Sequence, residues 1–158
     1  MLPGRSSMGV NRLPAPNRTH YLRLALALLL LTGYGSLIPL QYQALPPEEA
    51  FERFRNIPFN DMTQADLRAD WVVNAVQYAT VSFCWLAALS ADRRWYLRWL
   101  SAALVIPAGW AVAVALEFLQ IYFPPRTVSA NDLLVEGLGT VLGAAGWLLA
   151  GQPVTNWC

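Results

Sequence analysis

Apolar residues run along this chain in four long blocks, residues 21–40, 71–91, 99–123 and 133–150, separated by polar connections. A helix rises about 1.5 Å per residue, and crossing the hydrocarbon core of a bilayer takes roughly 17–25 residues. Each block therefore predicts a membrane-crossing helix. The expected fold class is all-α, an integral membrane bundle of four transmembrane helices. In the third block Pro107 and Gly109 interrupt the pattern, and the missing backbone donor of a proline predicts a kink there. The fourth block carries Gly137, Gly139, Gly143 and Gly146, including a Gly-x-x-x-Gly pair. Small residues let helices approach where lipid offers no hydrophobic drive, so Gly139 and Gly143 are expected to pack closely on another helix.

The connections differ in character. Residues 1–20 are rich in Pro, Gly, Ser and Asn and hold Arg5, Arg12 and Arg18 with no acid, which predicts a disordered tail. A basic stretch before a leucine run also opens secretory signals, but no small-x-small cleavage site follows and further spans do. Residues 41–70 contain Pro46, Pro47, Pro58 and six acids. Within residues 48–56, Phe51 and Phe54 lie three apart among Glu52, Arg53 and Arg55. That spacing predicts a short amphipathic helix, either on the membrane surface or in an ordinary solvated loop. Asp92, Arg93, Arg94 and Arg98 interleave with Trp95, Tyr96 and Trp99, a turn suited to the headgroup level. Pro124 and Pro125 mark a tight third connection, and residues 151–158 a short tail. One membrane domain over residues 21–150 is expected, without a soluble module.

Charge sets the expected orientation. Four arginines lie at or before Arg23 and three between Asp92 and Arg98, whereas the first long connection has three arginines against six acids and the last has one arginine. The positive-inside rule then places both termini in the cytoplasm and the first and third connections outside.

Composition agrees with a lipid environment: 56% of residues are hydrophobic and 13% charged, against roughly 25% charged in soluble domains. A net charge of +1 with no basic cluster argues against nucleic acid as a partner. No cofactor is expected, because the sole histidine, His20, lies at the tail boundary and offers no intramembrane haem ligand. Cys84 and Cys158 form neither a metal spacing nor a disulfide framework. No metal is assigned, since Arg126 competes for the acids Asp70, Glu117, Asp132 and Glu136 that a hard cation would use.

Those acids carry the chemical interest. An ionisable group inside a membrane costs roughly 2.5–3.5 kcal/mol on insertion scales and needs a partner. Glu117 lies six residues before Phe123, with Gln120 on the same helical face. Arg126, Ser129 and Asn131 follow, then Asp132 and, one turn deeper, Glu136. Asp70 and Asn74, one turn apart, enter the second span from the same side, followed by Gln77 and Tyr78. A polar pocket is expected from Asp70, Asn74, Glu117, Gln120, Arg126, Ser129, Asp132 and Glu136. Arg126 is the expected partner of Glu117, Asp132 or Glu136, because a guanidinium holds carboxylates by paired hydrogen bonds. Should Arg126 be absent from the pocket, Asn74, Gln77 and Tyr78 are the next partners for Glu117. The competing structural account makes the polar groups interhelical glue, with Ser129 and Asp132 as helix-start chemistry.

The run from Glu117 and Gln120 through Pro124, Pro125 and Arg126 to Asp132, Glu136, Gly137 and Gly139 resembles the signature of the VanZ-like membrane proteins. Asp70 with Asn74 resembles the same family's shorter motif. The likeness covers about residues 56–147. Two positions depart: the family usually has Asn where this chain has Glu136, and Pro-Phe-Gly or a relative where it has residues 80–83. Founding members are associated with tolerance to the glycopeptide antibiotic teicoplanin, and others with envelope and exopolysaccharide settings. The resemblance thus implies a multi-pass protein of the bacterial inner membrane, related to the cell envelope, whose partners are membrane lipid and a lipid-linked or cell-wall component. A small accessory subunit packed in a larger membrane complex is the alternative. A transporter or proton relay is disfavoured because no charged residue reaches the bilayer centre. Glu117 or Asp132 with Arg126 offers a base and an electrostatic stabiliser, yet neither nucleophile elbow nor phosphate loop accompanies them, so catalysis stays open.

Overall fold

The computed structural model describes residues 16–59 and 65–157, the side chains of residues 65–68 and 152–157 excepted. Among these residues the protein is all-α, with α1 Arg18–Leu37, α2 Pro47–Arg55, α3 Ala65–Ser90, α4 Trp95–Gln120 and α5 Ala130–Trp157. Three helices among the described residues are long and apolar enough to cross a membrane, over Ala69–Ser90, Trp95–Gln120 and Ala130–Gly151. The first block, by contrast, folds as α1, whose 20 residues include Arg18, His20 and Arg23 at one end and Gly33, Gly35 and Ser36 at the other. Its leucine-rich middle is correspondingly short.

Residues 1–15 of the expected tail lie outside the described residues, whereas residues 18–20 already belong to α1. A capping box fixes that start: the Asn17 side chain accepts from the His20 N–H at 3.0 Å, and His20 Nδ1 accepts from the Asn17 N–H at 3.3 Å. At the other terminus α5 runs through the residues read as a tail and reaches Trp157. Helix α4 continues unbroken through Pro107. Asp92, at φ 60°, turns the chain between α3 and α4, a left-handed position that Asp tolerates better than most residues.

Helices α3 and α5 form the central pair; α1 packs on α3, and α4 packs on both α5 and α3. The seam of the central pair is glycine-made. A Cβ at Gly139 would collide with the Ala75 carbonyl, and one at Gly143 with the Ala79 carbonyl and the Ser82 hydroxyl. Ser82 Oγ crosses the seam to donate to the Thr140 carbonyl at 2.8 Å. Gly137 faces the Trp110 ring, while Gly146 has only an ordinary contact with Phe83.

The two ends of the bundle are built differently. At the end holding the termini and the α3–α4 turn, Trp147 packs edge-on to Tyr21 and Phe83, with ring centroids 5.5 and 5.3 Å away. Leu86, Ala87, Ala91, Ala102 and Ala144 complete this core. Its polar atoms are matched: Trp147 Nε1 donates to Ser90 Oγ at 2.8 Å, and Ser90 Oγ donates to the Leu86 carbonyl at 2.6 Å. Arg18 Nε donates to the Ala88 carbonyl at 3.0 Å, tying α1 to α3.

At the opposite end the first and third connections meet. The Gln43 N–H donates to the Tyr122 carbonyl at 2.8 Å, and the Ala130 N–H to the Pro58 carbonyl at 3.0 Å. Tyr42 stacks on Tyr122, and Phe54 of α2 packs edge-on to Phe118 of α4. The amphipathic segment therefore rests one ring on the bundle, while Phe51 stays exposed.

Candidate functional site

A cavity of about 340 Å³ opens at the end where the connections meet. Four helices and the third connection line it: Gly35 and Ser36 of α1, Asp70, Asn74 and Gln77 of α3, Glu117 and Gln120 of α4, Arg126 and Thr127, then Asp132 and Glu136 of α5. The helical repeat explains the convergence. Asp70, Asn74 and Gln77 recur at four and three residues, as do Glu117 with Gln120 and Asp132 with Glu136, so each helix turns one polar face inward.

Burial within this cavity is uneven. Glu117, Gln120 and Glu136 are 2, 4 and 3% exposed, respectively, whereas Asp70 is exposed at the rim. The Ser129 backbone N–H is directed at the Glu117 carboxylate. Ser129 Oγ donates to Asp132 Oδ2 at 2.6 Å and accepts from the Asp132 N–H at 3.2 Å. Ser129 thus combines helix-start chemistry with support for the site, although its side chain does not line the cavity. Asn131 is buried beside it on the first turn of α5.

The expected pairing of Arg126 with Glu117, Asp132 or Glu136 is not formed. Among the described residues the sole ion pair within 4.0 Å is Arg53 with Glu49 on α2. Arg126 follows Pro124 and Pro125 on the exposed turn and stays at the cavity mouth, while the buried Ser129 segment takes the place next to Glu117. Asn74 and Gln77 do not replace it: Gln77 Nε2 donates instead to Thr32 Oγ1 of α1 at 2.9 Å.

Among the described residues three buried polar atoms consequently have no hydrogen-bond partner: Glu117 Oε2, Glu136 Oε2 and Tyr78 Oη. The Tyr78 hydroxyl and the Glu136 carboxyl face one another, but without the geometry of a bond. Buried polar groups in native proteins are nearly always paired, with protein or water, and leaving one unpaired costs about 1–3 kcal/mol and more if it is charged. Two carboxyl oxygens can accept and cannot donate when ionised. Glu117 Oε2 and Glu136 Oε2 therefore lack a donor, and no arginine lies within 4.0 Å of either carboxyl group among the described residues. No group of three or more metal-ligating side chains is arranged for a metal among the described residues.

Sequence reasoning did not include Gly35, Ser36, Trp71, Val73, Gln77 and Thr127 in the pocket. The small and polar residues that thin the far end of the first block were the available signal for the α1 contribution. Thr127 carried none.

The fold and the site together define a small helical membrane protein with a carboxyl-lined polar cavity entering one end of its bundle. The family model described as VanZ/LLP1 matches residues 21–151, and the chain belongs to that family. Neither a curated protein nor a solved structure matches it.

Proposed function

We propose that this protein sits in the bacterial inner membrane with four crossings, both termini in the cytoplasm, and binds the polar part of a lipid-linked or cell-wall component in a cavity open to the outer face. The observation that carries this reading is the pair of unpartnered buried acceptors, Glu117 Oε2 and Glu136 Oε2, on residues that line a cavity of about 340 Å³. Ligand pockets commonly span roughly 300–1,000 Å³ with a few convergent polar groups, and this one has that scale. Arginine counts support the orientation, and α1, which packs along α3, supplies the fourth crossing. Exposed Leu22, Leu26, Leu30 and Leu31 on α1 suit contact with lipid chains.

Native mass spectrometry of the protein purified in mild detergent tests the reading. The native chain is expected to carry a lipid or lipid-linked adduct that the double variant Glu117→Gln, Glu136→Gln loses. A bare chain in both cases, or stoichiometric recovery with a larger protein assembly, would count against it and favour an accessory role. Topology has its own check, in a cysteine-free background. A cysteine placed near Pro47 should label only from the outer side, and one near Asp92 only from the cytoplasm.

A further inference from the structure

A second cavity, of about 410 Å³, lies deeper along the same four helices. Leu29, Val81, Trp85, Leu104, Ala108 and Val112 supply its apolar walls. Its polar side chains are turned away from the space. Thr32 Oγ1 donates to the Leu28 carbonyl at 2.8 Å, Ser82 Oγ to the Thr140 carbonyl at 2.8 Å, and Thr140 Oγ1 to the Glu136 carbonyl at 3.0 Å. Hydroxyls fixed on helix carbonyls leave an apolar lining. The hydroxyl of Tyr78, which lines this cavity and faces Glu136, is the exception and has no partner.

The two cavities follow one another along the helices. On α3, Gln77 lines the polar cavity and Tyr78 the apolar one; on α5, Glu136 and Thr140 do so one turn apart; on α1, Gly35 and Thr32 divide likewise. The Gln77 to Thr32 hydrogen bond marks the border. A polar chamber stacked on an apolar one, within a bundle surrounded by lipid, has the polarity profile of an amphiphile.

Charge selects the head group. The polar chamber holds Asp70, Glu117, Asp132 and Glu136 against the single Arg126, and Arg126 lies at the mouth. A phosphate lowered to the floor would meet carboxyl groups that offer no compensating charge. An ammonium carries three donors and a positive charge, which are what the acceptors Glu117 Oε2 and Glu136 Oε2 lack. Arg126 at the rim is then placed for a phosphate further out, where guanidinium recognition is strong.

Resting on the proposed function, we infer that the two cavities form one site for a zwitterionic lipid, with its primary ammonium between Glu117 and Glu136, its phosphate toward Arg126, and one hydrocarbon chain turning back from the mouth along the lipid-facing surface to enter the apolar cavity beside the exposed Leu104 and Ala108. The ligand class is a phosphoethanolamine-type amphiphile, set apart by its terminal amine.

Binding to the full chain in detergent is measured by native mass spectrometry with three lipids of identical acyl chains: phosphatidylethanolamine, phosphatidylglycerol and a monoglucosyl diacylglycerol. Phosphatidylethanolamine should bind about tenfold more tightly than either, the factor supplied by one charge-assisted hydrogen bond. The Glu117→Gln, Glu136→Gln variant should lose that preference. Ala108→Trp, which fills the apolar cavity, should weaken all three lipids alike, with near-native thermal unfolding of the variant as the control for folding. Equal or stronger binding of phosphatidylglycerol or the glucolipid would overturn the ammonium assignment and leave the polar pocket standing. Undiminished binding to Ala108→Trp would overturn the chain assignment. Binding of none of the three would overturn the pocket itself.

Discussion

The two ends of this bundle use similar helices for opposite purposes. Around Trp147 the polar atoms are few and matched, and the ring fills space between Tyr21 and Phe83. Around Glu117 and Glu136 the polar atoms are many and deeply buried, and Glu117 Oε2, Glu136 Oε2 and Tyr78 Oη have no hydrogen-bond partner among the described residues. The first end is organised for stability. The second keeps desolvated acceptors facing a cavity, an arrangement that a ligand would complete. Unpaired groups of this kind are tolerated where function requires them, and their cost is offset by packing elsewhere.

The widest separation between the ends should appear on truncation. Replacing a buried Trp by Ala typically costs about 3–5 kcal/mol, and Trp147→Ala should fall at the lower part of that range because lipid rather than water is the alternative environment. Thermal unfolding in detergent reads it directly. A loss no larger than that of an exposed-site change would show that the matched end does not anchor the bundle.

The seam comes next in size. Gly143→Ala pushes a methyl group into the Ala79 carbonyl and should cost about 1–3 kcal/mol, as overpacking does. Gly146→Ala meets only Phe83 at 3.8 Å and should leave the unfolding temperature close to native. Equal effects at the two positions would break the claim that the central pair closes through particular glycines.

Trp147→Phe removes the indole N–H and part of the buried ring system, while Ser90 keeps its bond to the Leu86 carbonyl. A loss of about 1–3 kcal/mol is expected, from the hydrogen bond together with the space the smaller ring leaves. Arg126→Ala should change stability by no more than about 0.5 kcal/mol, since the side chain is exposed and makes no ion pair. A larger loss would restore Arg126 as a structural partner of the carboxyl groups.

Part of this contrast was legible in the sequence, for reasons specific to helices. Glu117 with Gln120, Asp132 with Glu136, and Asp70 with Asn74 share faces by spacing alone, and the block lengths signalled spanning helices. The partner of Glu117 was not legible. Charge pairing pointed to Arg126, but the course of the chain after Pro124 and Pro125 decides which group arrives, and that course depends on tertiary contacts such as the Ala130 N–H to the Pro58 carbonyl. The apolar chamber was equally hidden. Thr32, Ser82 and Thr140 read as polar residues, and only their bonds to helix carbonyls make the wall apolar. The charged start of the first block likewise shortened the apolar run of α1 below what its leucines suggested.

Glu136→Gln tests the contrast most directly. The amide is nearly isosteric, cannot ionise and brings two donors to a place where Glu117 Oε2 has none. If the polar end is held ready for a ligand rather than for stability, thermal unfolding of the lipid-free variant in detergent should occur at the native temperature or above it. An unfolding temperature lowered as far as that of Trp147→Phe would contradict the account, because Glu136 would then be a structural member of the bundle like the residues at the opposite end.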